Sequence, residues 1–179
     1  MRKAVAARAF VLAVAGWAFL CAFAQPAAAQ DRRPGDPRRG GYFIEFRARP
    51  STFIGHTYVV YGRQGPRGRL AEQHYAGLIP EGDVWEGLWS PIRATVRKYK
   101  DDVRLRPDTI YRRRLTLEEY RYVERVVRFL RGNEREWHAI FQNCNDFGII
   151  IAEALELNRP PSLMPPSMWV GMLRVLNDP

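Results

Sequence analysis

Three segments of β-type patterning follow one another between residues 42 and 79, with so little chain between them that each can pair only with its neighbours. In "YFIEFRAR" Tyr42, Ile44, Phe46 and Ala48 share one face, while Glu45, Arg47 and Arg49 lie mostly on the other, which is the pattern of a half-buried strand. After Pro50 comes "GHTYVVYG", whose β-branched and aromatic residues occupy both faces, as in a strand covered on both sides. The turn-rich "GRQGPRGR" then leads into "LAEQHYAGLI", so residues 42–79 read as an antiparallel meander.

The rest of the chain supplies helices to cover it. "TIYRRRL" at 109–115 is a further strand, and Thr116 with Glu119 makes a capping-box pattern ahead of the stripe Leu117, Tyr120, Val123, Val127 and Leu130, with Gly132 as the stop. A second helix opens near Asn143 with Cys144, Phe147, Gly148, Ile151 and Leu155 on one side, and ends by Asn158. "SMWVGMLRVLN" reads as a third helix with Ser167 as its cap. Between 81 and 107, Trp85, Trp89, Ile92, Val96 and Tyr99 keep helical spacing that Pro91 interrupts, so this region reads as mixed loop and short helix. Consecutive strands followed by amphipathic helices give an α+β class, an antiparallel sheet packed against helices.

Ahead of this domain, "MRKAVAARAFVLAVAGWAFLCAFAQPAAAQ" joins a basic segment, an apolar run from Ala9 to Phe23 and small residues, the three parts of a secretory signal peptide. The apolar run is shorter than the roughly 20 residues a spanning helix needs. Ala27 and Ala29 put the cleavage after residue 29, and Leu20 before Cys21 argues against a lipoprotein. The expected organisation is therefore a signal peptide over 1–29, a solvated Pro-, Gly- and Arg-rich linker over 30–41 and one domain over 42–179, in a periplasmic or secreted protein without a transmembrane segment after cleavage. Removing Arg2, Lys3 and Arg8 from 28 basic residues, against 19 acidic ones, leaves a net charge of +6. Such a charge favours anionic envelope polymers, acidic lipids or acidic peptides. No nucleic-acid partner is expected, because the arginines are scattered and no RNA-recognition or helix-turn-helix signature accompanies them.

Cleavage also removes Cys21 and leaves Cys144 as the one cysteine, so no internal disulfide can form. A lone cysteine in an oxidising compartment is most often a buried, inert side chain. Its position at the start of a helix is what a thiolate would favour, because unpaired N–H groups and the helix dipole stabilise an anion there. Asp146, two residues on, is turned away from the sulfur and serves the helix end as a cap. A nucleophilic thiol needs a base, and the histidines are His56, His74 and His138. His56 heads the most buried strand, where an imidazole has little reason to be unless something binds it, whereas His138 lies in a connection and reads as structural or exposed.

"FIGHTYVVYG" on a strand, followed much later by "NCNDF" opening a helix, resembles the circularly permuted NlpC-type superfamily of papain-like thiol enzymes, which includes relatives of lecithin:retinol acyltransferase. The resemblance covers residues 42 to about 158. It implies a permuted papain-like domain in which Cys144 is the nucleophile, His56 the base, and His74, with Gln73 and Glu72 as neighbours, the third, orienting residue. The implied activity is an amidase-, peptidase- or acyltransferase-type reaction through an acyl-enzyme, on an amide or ester such as a cell-wall peptide or lipid. The oxyanion would meet the Cys144 N–H and a side-chain amide from Asn143 or Gln142. No cofactor or metal is expected, since no cysteine–histidine pair has zinc-type spacing. The competing readings are a non-catalytic envelope protein that uses "YRRRL" and exposed tryptophans to bind anionic glycans or a partner, and a peroxide-sensitive thiol.

Export makes a direct prediction. Protein recovered from its native host should begin near Gln30 by N-terminal sequencing and intact mass, and recovery of the full-length chain in the membrane fraction would refute cleavage.

Overall fold

The structure, a computed structural model, describes residues 40–50 and 55–178, which fall within one compact unit. The signal peptide and nearly all of the linker lie outside the described residues. Gly41–Arg49 (β1), His56–Gln64 (β2) and Leu70–Pro80 (β3) form the expected meander, and Thr109–Leu115 (β5) adds antiparallel to the outer side of β1. The expected helices are present as Leu117–Gly132 (α2), Cys144–Ala154 (α3) and Pro166–Asn177 (α4). The α+β class holds: with Ile92–Arg97 (β4) and Arg135–Trp137 (β6), six strands in the order β5-β1-β2-β3-β4-β6 make an open antiparallel sheet.

Two strands were not expected. Ile92–Arg97 (β4) and Arg135–Trp137 (β6) extend the sheet beyond β3. In β4 the alternating Ile92, Ala94 and Val96 turn inward, a period of two that the helical spacing of Trp85 and Trp89 masks; both tryptophans are exposed in a short turn ahead of the strand. The short helix expected in this region is Lys100–Arg104 (α1). Two finer details also differ. Leu117 is 42% exposed, and only Tyr120, Val123, Val127 and Leu130 of the expected stripe face the core. Ser167 lies inside α4, which is capped at Pro165, and its hydroxyl donates to Asp108 Oδ2 at 2.7 Å.

Alternation sorts the side chains of the sheet onto two faces. Ile44, Phe46 and Ala48 from β1, Val59 and Tyr61 from β2, and Ala76 and Leu78 from β3 join the buried stripes of α2, α3 and α4 in the main core. Phe43, Tyr58 and Val60 form a separate cluster on the opposite face, with Tyr75 against it. β2 is thus buried on both sides, as its composition implies. The opposite face of β1 is buried too, contrary to a half-exposed strand, because its charges are paired: Glu45 with Arg47 and Arg112, and Arg49 with Asp102 of α1. Arg113 joins three elements by donating to Leu155 O at the end of α3 and to Glu119 in the first turn of α2.

The close approach of α3 to the sheet depends on Gly148. A Cβ there would lie 2.8 Å from the Trp169 ring, with Thr57 Cγ2 behind it. Alanine normally gains about 1 kcal/mol over glycine inside a helix, but overpacking a rigid core costs about 1 to 3 kcal/mol, and Trp169 is fully buried. Gly148→Ala should therefore lose up to about 2 kcal/mol in urea unfolding, and a stabilised variant would overturn this account of the packing.

Candidate active site

The start of α3 is built by local hydrogen bonds. Asn143, the N-cap, accepts the Asn145 N–H on Oδ1 at 2.8 Å, while Asp146 Oδ2 accepts the Asn143 N–H at 2.7 Å, a complete capping box. Asp146 has the capping role that its spacing suggests. Cys144 is the first helical residue and is buried, on the core side with Phe147 and Ile151.

Asn145 fixes what the thiol meets. Its Nδ2 donates to Ser162 O and Met164 O, both at 2.8 Å, so its Oδ1 must be the acceptor of the 2.6 Å bond from the Thr57 hydroxyl. With its proton directed at Asn145, Thr57 Oγ1 can only accept from the neighbouring thiol, which favours S–H over S⁻ at that contact. The N–H groups of Thr57, Cys144 and Asn145 also lie against the sulfur and work in the opposite sense, drawing the pKa down. Burial is the largest effect and the thiol pKa is raised. The lowered pKa expected from the helix N-terminus is therefore not found, because desolvation outweighs the local dipoles.

His56 is one residue before Thr57 and, by strand alternation, turns to the other face of β2. There it stacks on Tyr58, and its Nε2 lies 3.7 Å from Asp102 Oδ2, with the carboxylate 1% exposed. Arg49 holds the other carboxylate oxygen through a 2.7 Å bond from Nε, and its guanidinium lies over the Tyr99 ring. Among the described residues, neither His56 Nε2 nor Asp102 Oδ2 has a hydrogen-bond partner. Gly77 makes room for the imidazole: a Cβ there would fall 2.7 Å from Nε2. Burial first, and then the Arg49 charge, push the His56 pKa down to about 3, so the ring is neutral at physiological pH. Burial raises the Asp102 pKa, while the Arg49 hydrogen bond and charge oppose the rise.

The other expected site residues divide. His74 lies too far along the sheet to touch His56. It pairs across the ladder with Tyr61, five residues along β2 from His56 and so about 17 Å away at strand rise, and it is bonded to Glu72 at 2.7 Å. Gln73 and Glu72 lie at the same remote end of β3. Asn143 is engaged at the helix start, its Oδ1 accepting the Asn145 N–H and its Nδ2 giving one of its two hydrogens to Ala139 O. Gln142 forms no side-chain hydrogen bond among the described residues and lines a shallow depression with Leu78, Arg135 and Phe147, so it remains a donor. His138 is buried and structural, its Nδ1 accepting the Ile140 N–H. Cys144 and His56 flank one step of β2, yet no hydrogen bond joins them among the described residues. The partner that sequence reasoning missed is Asp102, 53 residues after Arg49. Nothing in "KYKDDVRLR" distinguishes it from the adjacent Asp101, and only the path of the chain across the second face selects it.

These shifts fix a pH dependence. His56 is neutral in the folded protein down to about pH 3, whereas an unfolded histidine takes up a proton near 6.5, so the unfolded state binds more protons between those values and stability falls as pH drops through that window. Asp102, with its raised folded pKa, acts in the opposite direction at the acid end. At the alkaline end the raised Cys144 pKa means that the unfolded chain loses its thiol proton first, so stability falls as pH climbs above the ordinary thiol value. Urea unfolding of the wild type and His56→Gln across pH 4 to 7 should give a clearly flatter profile for the variant, and parallel profiles would show that the imidazole is not held neutral.

No protein-family model, curated protein or solved structure matches the chain.

Proposed function

We propose that the chain is an exported thiol-dependent hydrolase or acyltransferase of amidase or peptidase type, built on a permuted papain-like (NlpC-type) domain and working through an acyl-enzyme on Cys144. The observation that carries this reading is the enclosed His56–Asp102 pair, seated at the same step of β2 that meets the Cys144 end of α3. A buried imidazole beside a buried carboxylate, with the facing atoms otherwise unpartnered, is the arrangement that holds a general base in one tautomer. At 3.7 Å the pair is looser than a formed hydrogen bond, as in many sites without substrate.

The imidazole rests on the face of β2 away from Cys144, so the reaction requires His56, the first residue of the strand, to turn its ring about the strand end toward the thiol. Thiol and imidazole are both neutral at rest, so the proton moves as the bond forms: His56 takes it from Cys144 while the sulfur adds to the substrate carbonyl. The oxyanion meets N–H groups at the start of α3 and the free amide of Gln142. Collapse expels the amine or alcohol, which leaves with the proton held on His56, and yields a thioester. Water or another acceptor then gives a proton to His56 as it attacks, and the departing sulfur takes that proton back, restoring the neutral thiol and imidazole. Arg49 and Asp102 touch no reacting atom and act as positioning residues.

A second reading is supported by the Thr57 and Asn145 contacts, which favour a protonated sulfur and complete a buried polar cluster without any substrate. In that case the chain keeps the fold as a non-catalytic envelope binding protein.

An activated ester separates the two without knowledge of the natural substrate. On the enzyme reading, p-nitrophenyl acetate should acetylate Cys144 once per chain, seen as intact-mass gain and peptide mapping. Loss of a general base reduces such a step by roughly 10²- to 10⁴-fold, so His56→Ala should fall in that range. Asp102→Asn should fall less, and His74→Ala should match the wild type. Acetylation that is absent from the folded wild type, or unchanged in His56→Ala, would leave the binding reading.

A further inference from the structure

The segment that brings Asp102 to His56 has a second, outward side. α1 turns by about 100° per residue, so Lys100 and Arg104 point directly away from the buried Asp102. Around them the segment exposes Arg97, Lys98 and Arg106, and between these cations it exposes Val103, 46% accessible, and Leu105, 36% accessible. Its acidic residues do not neutralise this side: Asp102 is buried against Arg49, and Asp101 pairs with Arg104. Among the described residues, Arg97, Lys98, Lys100 and Arg106 have no carboxylate within ion-pair distance. Lys98 and Arg97 lie over the rings of Tyr75 and Tyr99, which hold them on this side of the sheet.

We propose that the outer side of residues 97–106 is a docking surface for an anionic lipid bilayer. Both components of such a surface are present. Cations are drawn to the negative potential of acidic headgroups, and exposed aliphatic side chains among them enter the headgroup layer. A soluble polyanion would use the cations but would gain nothing from exposed Val103 and Leu105, so the interleaving favours the bilayer. Docking by this side sets the membrane against the back of α1 and leaves α2, α3 and α4 on the far face of the sheet. The inference does not depend on Cys144 being a nucleophile.

Co-sedimentation of the protein with vesicles of equal parts phosphatidylcholine and phosphatidylglycerol, compared with phosphatidylcholine alone, tests it. The wild type should partition onto the anionic vesicles only and be released by salt. Each basic residue near an anionic surface contributes about fivefold in partitioning, so Lys98→Gln/Lys100→Gln/Arg106→Gln should bind roughly a hundredfold more weakly. Val103→Ser/Leu105→Ser should bind several-fold more weakly while keeping its affinity for heparin. Arg121→Gln/Arg125→Gln, which removes charge from the exposed side of α2, should bind as the wild type does, with circular dichroism reporting the folding of every variant. No binding by the wild type overturns the proposal. So does an equal loss in the α2 variant, which would make the attraction one of net charge alone, or a Val103→Ser/Leu105→Ser variant that binds unchanged, which would make the ligand any polyanion.

Discussion

Asn145 holds the molecule together at the point where its parts must agree. It is buried, yet every polar group of its side chain is used: the carbonyl by Thr57 on the central strand, the amide by two carbonyls of the connection that leads to α4. An unsatisfied buried amide costs about 1 to 3 kcal/mol per lost partner, so this one residue fixes helix, strand and connection in a single geometry. Cys144 is positioned as a consequence, since it precedes Asn145 by one residue and cannot move without breaking these bonds. The neighbouring capping box makes the helix start equally fixed from its own side.

Much of the fold could be read because the relevant signals are local. Alternation in "YFIEFRAR" and "GHTYVVYG" identifies β1 and β2, and the Thr116–Glu119 and Asn143–Asp146 capping pairs mark two helix starts that the structure reproduces with both reciprocal bonds. What could not be read depends on long-range pairing. β4 is a strand because β3 and β6 flank it, while its own residues keep a spacing that also suits a helix. β6 has three residues and carries no periodic signal at all.

The site divides in the same way. Cys144 and His56 stand out locally, one at a helix start and one heading a strand of buried residues, and both are buried at the same step of the sheet. Asp102 does not stand out, because its role is set by Arg49, which reaches it from the end of β1. His74 misleads because a histidine on the following strand has the right order in the chain but the wrong level along the ladder. Register decides such questions, and composition cannot supply it. The raised thiol pKa follows the same logic: the helix start is visible in sequence, whereas the degree of enclosure that overrides it is a property of the packed whole.

β3 changes partners along its length. Its first part pairs with β2 up to Ala76, and its last part, from Gly77 to Pro80, pairs with β4. Mechanically, the sheet is two ladders that share one strand, and the joint between them falls at Gly77, the residue that roofs the His56 imidazole. A side chain at Gly77 would therefore meet the imidazole at the very residue where one ladder hands over to the other. The His56 ring is thus enclosed by both ladders at once, by β2 that carries it and by the β3–β4 side, whose onward chain supplies Asp102.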